Sequence, residues 1–304
     1  MAILKLKPAC KNYIWGGRRL IEEFGFDSGE KICAEAWTLS AHPDGVSTLD
    51  DGSTLAEYIK ANGAKILGTN CRRFNDFPVL IKFIDARENL SVQVHPPDDY
   101  ALIHENQLGK SEMWYVLDTD ENSVLYCGFK QKISKAEFIE RIKNNSLIEV
   151  LDAVPAKKGS VIFIPAGTIH AVGKGVLLAE IQQNSNVSYR VYDYGRNRPL
   201  HIDKALDVTN LNPITERGYS YPHLAACDYF VVDKLNLDGK ILSQAQGTVD
   251  DKTFLNVLII DGTGKISCGV EEFLYKKGDS FMLTANSGDW KICGSCDALL
   301  TTVP

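Results

Sequence analysis

Three short stretches hold side chains able to do chemistry together. In Leu90-Ser91-Val92-Gln93-Val94-His95-Pro96 the pattern alternates, so Gln93 and His95, two residues apart, share one face of a strand that Pro96 ends. Gly109-Lys110-Ser111-Glu112-Met113-Trp114-Tyr115 opens a second strand with Glu112 at its start. From Gly159 through Pro165 and Gly167 to His170 the chain offers a strand, a tight turn and a histidine. Gln93, His95, Glu112 and His170 together supply two imidazoles, a carboxylate and an amide oxygen. That nitrogen and oxygen set suits Zn²⁺, with Mn²⁺, Co²⁺ or Fe²⁺ as substitutes. It contains no thiolate and leaves room for water, so the expected ion, one per chain, is catalytic rather than structural. His42, His104, His201 and His223 are expected to be non-ligands.

Strands are needed to carry these groups, and the sequence supplies them. β-Branched and aromatic runs predict strands over residues 79–84, 90–94, 113–117, 160–164, 176–182 and 189–192. Helices are expected from Thr54 to Asn62 with Ser53 as N-cap and Glu57 in the first turn, and over 98–105 after Pro96-Pro97. A third runs from Ser134 to Asn145, where Ser134 and Glu137 form a capping box, and a fourth from Ile202 to Thr209. From Phe230 to Val303 the pattern is strand-rich, with turns expected at Asp238-Gly239, Asp261-Gly262, Lys277-Gly278-Asp279 and Ser287-Gly288. A soft domain boundary falls near residue 220. Residues 157–167 can be laid on 276–286, each a glycine turn, an apolar strand and a second turn. Two related β-barrel units would explain this, the first reaching His170 and the second reaching Asp289 with no histidine.

Composition narrows the function further. The 304 residues carry 33 Lys and Arg against 39 Asp and Glu, a formal charge of −6 without a basic block, which excludes a nucleic-acid binder. No apolar run approaches the ~20 residues that span a bilayer. The first ten residues contain Lys5 and Lys7 within their apolar stretch and are not expected to act as a signal peptide. The expected protein is soluble and cytoplasmic, a monomer or homodimer, with a small molecule as its partner. The eight cysteines, Cys293 and Cys296 included, are expected to be free thiols, because the single C-x-x-C has no second pair.

Gly159-x5-Pro165-x-Gly167-x2-His170 resembles the second signature of the cupin barrels, and Gln93-x-His95-Pro96 with Glu112 resembles the first, with glutamine in place of a histidine. More narrowly, the stretches 90–96, 109–115, 165–171, 180–185 and 189–196 resemble type I mannose-6-phosphate isomerases. So do Tyr13-Ile14-Trp15-Gly16-Gly17, Glu35-Ala36-Trp37 and Ser40-Ala41-His42-Pro43. The length is similar to the family's short bacterial form. Two departures are Lys174, where cupins usually carry asparagine, and Ser111 between Lys110 and Glu112, where longer members carry proline.

The resemblance implies a mainly β fold with some helices: two cupin-like jelly-roll units, residues 1–220 binding the metal and residues 221–304 degenerate. It implies interconversion of mannose 6-phosphate and fructose 6-phosphate through a cis-enediol. By the same analogy Arg190 is the active-site arginine, suited to an enediolate or phosphate and not to taking a proton. Lys110 precedes a ligand, and Lys82 is a charge in an apolar strand that must be paired or face a cavity. Arg190, Lys110 and Glu180 are the expected catalytic residues, and Lys82, Lys110, Arg190 and Asp193 the expected substrate contacts. The proton carrier stays open among Glu180, Asp193, a metal-bound water and a ligand histidine. Trp15, Trp37 and Trp114 are expected in the core. Two other functions compete: a cupin isomerase for another sugar phosphate, and a non-catalytic sugar-binding cupin. The three cationic side chains near the ligand set speak against the second.

Overall fold

The computed structural model describes residues 1–214 and 221–304, so the boundary expected near residue 220 lies outside the described residues. The fold is mainly β, built from three antiparallel sheets. The six-stranded sheet runs in the order Ala9–Lys11, Glu35–Leu39, Val79–Ala86, Val176–Gln183, Glu112–Thr119 and Val161–Ile164. The five-stranded sheet orders Tyr189–Tyr192, Val92–Val94, His170–Val172, Val124–Phe129 and Leu151–Pro155. The eight-stranded sheet takes its strands from residues 223–302, with one addition: Ile3–Leu6 pairs with Ser280–Leu283. Strand pairing therefore crosses the sequence division at 220. Among the described residues no helix is long and apolar enough to cross a membrane.

The six-stranded sheet is the middle layer, and alternation along its strands explains why. Val79, Ile81, Phe83, Met113 and Leu177 pack on one side against Phe230, Phe254, Leu258 and Met282 of the eight-stranded sheet. Ile84, Trp114, Val116 and Leu178, on the other face of the same strands, meet Leu125, Cys127 and Val172 of the five-stranded sheet. Every residue of Val79–Ala86 and Val176–Gln183 is buried. The outer face of the five-stranded sheet is closed by Phe138 and Ile142 of helix Lys135–Lys143 and Ala205 of helix Ile202–Val208.

The expected strands are all present, and local chemistry accounts for the shifts at other elements. Helix Leu55–Asn62 is capped by Thr54, not Ser53: Thr54 Oγ1 accepts the Glu57 N–H (3.1 Å) and Glu57 Oε2 accepts the Thr54 N–H (2.8 Å). Ser53 donates instead to Asp51 Oδ1 (2.6 Å). Ser134 caps its helix through the Glu137 N–H (3.1 Å), while the Glu137 carboxylate turns to Arg141, 3.7 Å away. Asp261-Gly262 is not a turn. The strand Leu255–Cys268 passes through it with a bulge, because Gly262 adopts φ +97°, open to glycine, and the register slips there. Cys293 and Cys296 are free thiols within strand Gly288–Thr302.

The two similar segments share their hydrogen bonding. Gly159 and Gly278 both have positive φ and donate to Val116 O and Ile259 O, each at 2.8 Å. Ser160 donates to Lys157 O (2.9 Å) and Asp279 to Lys276 O (3.1 Å); Thr168 donates to Pro165 O and Ser287 to Thr284 O, both at 3.1 Å.

Phe230 tests the contact between layers. It is fully buried and meets Phe163 edge-on, with ring centroids 6.4 Å apart. Phe230→Ala should lower the unfolding free energy by about 3–5 kcal/mol, read from urea denaturation; a loss below ~1 kcal/mol would mean that this contact does not hold the layers.

Candidate active site

The site lies between the five- and six-stranded sheets. Gln93 is paired across the five-stranded sheet with both His170 and Arg190. His95 follows one residue past strand Val92–Val94, and its carbonyl accepts the Gly167 N–H (2.7 Å), which brings the two histidine segments together. Glu112 starts its strand opposite Ile164 and Gln182. The result is one cluster: His95 Nε2 lies 3.4 Å from Glu112 Oε2, and His170 Nε2 lies 3.4 Å from Oε1. The ligand atoms of these three buried residues all fall within 4.8 Å of one another. The Gln93 amide is 3.4 Å from His170 Nε2, and a half-turn of its end group presents the oxygen to the same spot.

The tautomers follow from the partners. His95 Nδ1 donates to Val187 O and His170 Nδ1 to Thr168 O, both at 2.9 Å, so each neutral ring turns the Nε2 lone pair inward. Burial, helped by the Lys110 ammonium, pushes the His95 pKa down to about 3, and burial lowers that of His170 as well. Burial alone would raise the Glu112 carboxyl, yet the Lys110 ammonium foremost outweighs it and holds Glu112 well below the usual range. Both Glu112 oxygens are buried and accept no well-directed hydrogen bond. Lys110 Nζ is 2.7 Å from Oε2, an ion-pair contact off the hydrogen-bond direction, and 3.1 Å from His95 Nε2. Two lone pairs and a carboxylate thus face one another, an arrangement that calls for positive charge. These residues fit a divalent cation.

A polar row crosses the middle sheet beside this cluster. Trp37, Lys82, Glu180 and Trp114 are successive partners on four neighbouring strands. Lys82 Nζ reaches Glu180 Oε1 (3.0 Å) and Glu35 Oε2 (3.3 Å), and Lys110 Nζ is 3.4 Å from Glu180 Oε1. The indole N–H groups complete the set, Trp114 donating to Glu180 Oε2 (2.9 Å) and Trp37 to Glu35 Oε2 (2.7 Å). Burial disfavours the Lys82 ammonium, but Glu180, Glu35 and Glu112 more than offset it and raise its pKa. The three tryptophans are buried as expected, and two of them also anchor carboxylates.

Lys82, Gln93, Lys110, Glu180 and Arg190 line one cavity of about 250 Å³, together with Tyr13, Trp15, Glu35 and Arg198. His95, Glu112 and His170 stand behind Lys110. A larger cleft of about 840 Å³ beside His42, Lys60 and Phe74 holds none of these groups, so convergence of chemistry singles out the smaller one. Arg190 donates to Ser91 Oγ (3.3 Å) and Pro199 O (2.9 Å). Asp193 does not line the cavity. Its carboxylate is taken by Arg198, at 2.8 and 2.6 Å, and by Arg196 at 2.9 Å. It holds Arg198 at the cavity wall instead of facing a ligand. His42 is buried edge-on against Trp37, outside the cluster.

Glu35 and Arg198 were not singled out from sequence. Glu35 precedes Trp37 by two residues, hence on the same strand face, and this alternation was the available signal. For Arg198 the signal was three arginines within nine residues around one aspartate.

A family model described as the type I phosphomannose isomerase catalytic domain matches residues 3–127, and one described as the mannose-6-phosphate isomerase cupin domain matches residues 221–303. A mannose-6-phosphate isomerase of Streptococcus mutans is 35% identical over 313 residues, 97% of this chain and 96% of its own. The crystal structure of the mannose 6-phosphate isomerase from Bacillus subtilis matches with a TM-score of 0.89 at 32% identity, over 99% of both chains. A mannose 6-phosphate isomerase bound with zinc and yttrium shares the fold, with a TM-score of 0.79 at 17% identity over 99% of both chains. Identity across nearly the whole length of these relatives shows that the chain belongs to the type I mannose-6-phosphate isomerase family of enzymes.

Proposed function

We propose that the chain interconverts mannose 6-phosphate and fructose 6-phosphate through a cis-enediol, with one divalent cation, zinc by preference, held by Gln93, His95, Glu112 and His170. The supporting observation is the buried cluster of inward lone pairs and an unbonded carboxylate, set behind a cavity lined by lysine, glutamate and arginine. When bound, the cation supplies positive charge to O1 and O2 as negative charge develops there. A structural neighbour that binds zinc agrees with that choice.

The chain's own side chains do the rest. Glu112 is a ligand and Asp193 is locked to arginines; of the two cavity carboxylates, Glu35 and Glu180, it is Glu180 whose Oε1 lies 3.4 Å from Lys110 Nζ beside the cluster, so Glu180 is the one suited to carry the proton. Glu180 takes the C2 proton as electrons shift onto O1. Returning it at C1, with the hydroxyl proton passing from O2 to O1, leaves the ketose. Lys82 and Lys110 orient Glu180 and meet sugar oxygens. Arg190 and Arg198 receive the phosphate, Arg198 in the direction fixed by Asp193. The shared turn geometry of residues 157–168 and 276–287 supports a second, ligand-free copy of the same barrel unit in the eight-stranded sheet. Superposing the two segments in an experimental structure checks this, and divergent Cα traces would reject it.

Mannose 6-phosphate should be converted by the purified chain, with turnover falling to background after chelation and returning with zinc. Undiminished turnover in a verified metal-free sample would rule out the cation, and turnover of glucose 6-phosphate alone would move the substrate to another phosphosugar. Glu180→Gln should lower kcat by roughly 10²–10⁴-fold and abolish exchange of the C2 hydrogen with solvent. Exchange at the native rate would exclude Glu180 as carrier. Asp193→Asn releases Arg198, so KM should rise about tenfold, the equivalent of ~1.4 kcal/mol, with kcat little changed. An unaltered KM would place the phosphate elsewhere.

A further inference from the structure

Behind the ligand cluster, on the side away from the cavity, one glutamine joins the segments that carry the ligands. Gln183 ends the strand Val176–Gln183 and is only 2% exposed. Its N–H donates to Ser111 O (3.1 Å) and its Oε1 accepts the Ser111 N–H (2.7 Å), so it holds both sides of the residue before Glu112. Its Nε2 donates to Asp98 Oδ1 (2.9 Å), three residues after His95. Asp98 Oδ1 also accepts the Gly109 N–H (2.8 Å), just ahead of Lys110, and Oδ2 accepts the Tyr229 hydroxyl (2.7 Å). Ser111 Oγ in turn accepts the Ala166 N–H (3.1 Å), in the turn that leads to His170.

We propose that Gln183, with Asp98 and Tyr229, is a positioning clamp that sets the spacing of Glu112 against His95 and His170. It rests on the cation site of the proposed function and adds residues that touch neither cation nor sugar. The chemistry suits an amide: the position must accept from the Ser111 N–H and donate to a carboxylate at once, which neither an ionised Glu nor Leu can do. Asp98 needs both oxygens as acceptors, for two donors on one and a phenol on the other. Tyr229 comes from the C-terminal segment, its ring 4.9 Å from that of Phe74. Through it, the segment bearing no ligand braces the segments that bear them.

Zinc affinity, measured by competition with a chromogenic chelator, is the direct test. The native chain should bind one zinc, and Gln183→Glu should weaken it by roughly 10–100-fold, the usual effect of losing a group that orients ligands. Tyr229→Phe, which removes one hydroxyl and keeps the ring, should weaken it several-fold. Tyr275→Phe is the control: its hydroxyl is bonded to Cys293 O and Ser295 O in the eight-stranded sheet, so zinc affinity should stay native. The visible absorption spectrum of the cobalt form should shift for Gln183→Glu and Tyr229→Phe, and not for Tyr275→Phe. Native affinity and spectrum in Tyr229→Phe and Gln183→Glu would overturn the clamp and leave the cation site standing. A native chain that binds no zinc would overturn both.

Discussion

Burying a carboxylate with both oxygens shielded from water costs several kcal/mol unless positive charge is buried with it, and Glu112 is buried in this way. Its nearest neighbours answer that demand with charge but with no well-directed hydrogen bond. The two imidazoles have spent their N–H groups on Val187 O and Thr168 O, and turn lone pairs toward it. The Lys110 ammonium is the cation in contact with it, and Glu180 shares that charge. A fold that places two lone pairs and a carboxylate within 4.8 Å has built an electrostatic deficit into its interior. That deficit is why the cluster fits a cation; backbone carbonyls hold both imidazoles in place, and hydrogen bonds join Ser111, Gln183 and Asp98 beside it.

The middle sheet makes such a cluster affordable. Both its faces are covered, so its central strands are mostly apolar, and the charges on them are buried. Lys82 and Glu180 escape the penalty by lying opposite each other on adjacent strands, with Glu35 and two indole N–H groups completing their bonds. Alternation sends these side chains to the cavity face, while Ile81, Phe83, Ala179 and Ile181 on the other face seal the sheet against the eight-stranded layer. Apolar backing and polar row are thus two readings of the same strands at a period of two.

The grouping of His95, Glu112 and His170, with Gln93 beside them, was legible in the sequence because each is placed by local geometry: two residues on one strand face, a strand start, and a strand–turn–histidine unit. The helix starts were legible for the same reason, to within one residue, and the Thr54 cap shows why the residue three before the glutamate matters. Glu35 was not, since its role depends on which strands become neighbours, and Arg198 was not, since its place at the cavity wall depends on the turn at Tyr194-Gly195 that folds it back onto Asp193. Glu35 meets Lys82 across 47 positions, and Ile3–Leu6 finds its partner some 280 residues away, distances over which no short pattern reports. Asp193 was expected to contact the substrate because it lies three residues from Arg190. Its carboxylate is already consumed by Arg196 and Arg198. Asp261-Gly262 misled because a glycine at positive φ serves a bulge as well as a turn.

Charge is graded through the cavity, and the grading matches the proposed substrate. At the buried end two lysines stand among the carboxylates of Glu35, Glu112 and Glu180, a formal excess of one negative charge before any cation (two against three). At the more exposed end Arg190, Arg196 and Arg198 surround one carboxylate, a formal excess of two positive charges (three against one). Burial together with Arg198 lowers the Arg190 pKa, the mark of guanidinium groups gathered closer than they would choose in water. A sugar phosphate entering between these ends relieves both strains if its dianion faces the arginines and its C1–C2 oxygens face the cation. With a divalent cation bound, the buried end would carry a formal excess of one positive charge (four against three), against two at the arginine end, so the arginines stay the stronger partner for the dianion. The charge distribution around the cavity therefore agrees with the proposed direction of binding as well as with the proposed class of ligand.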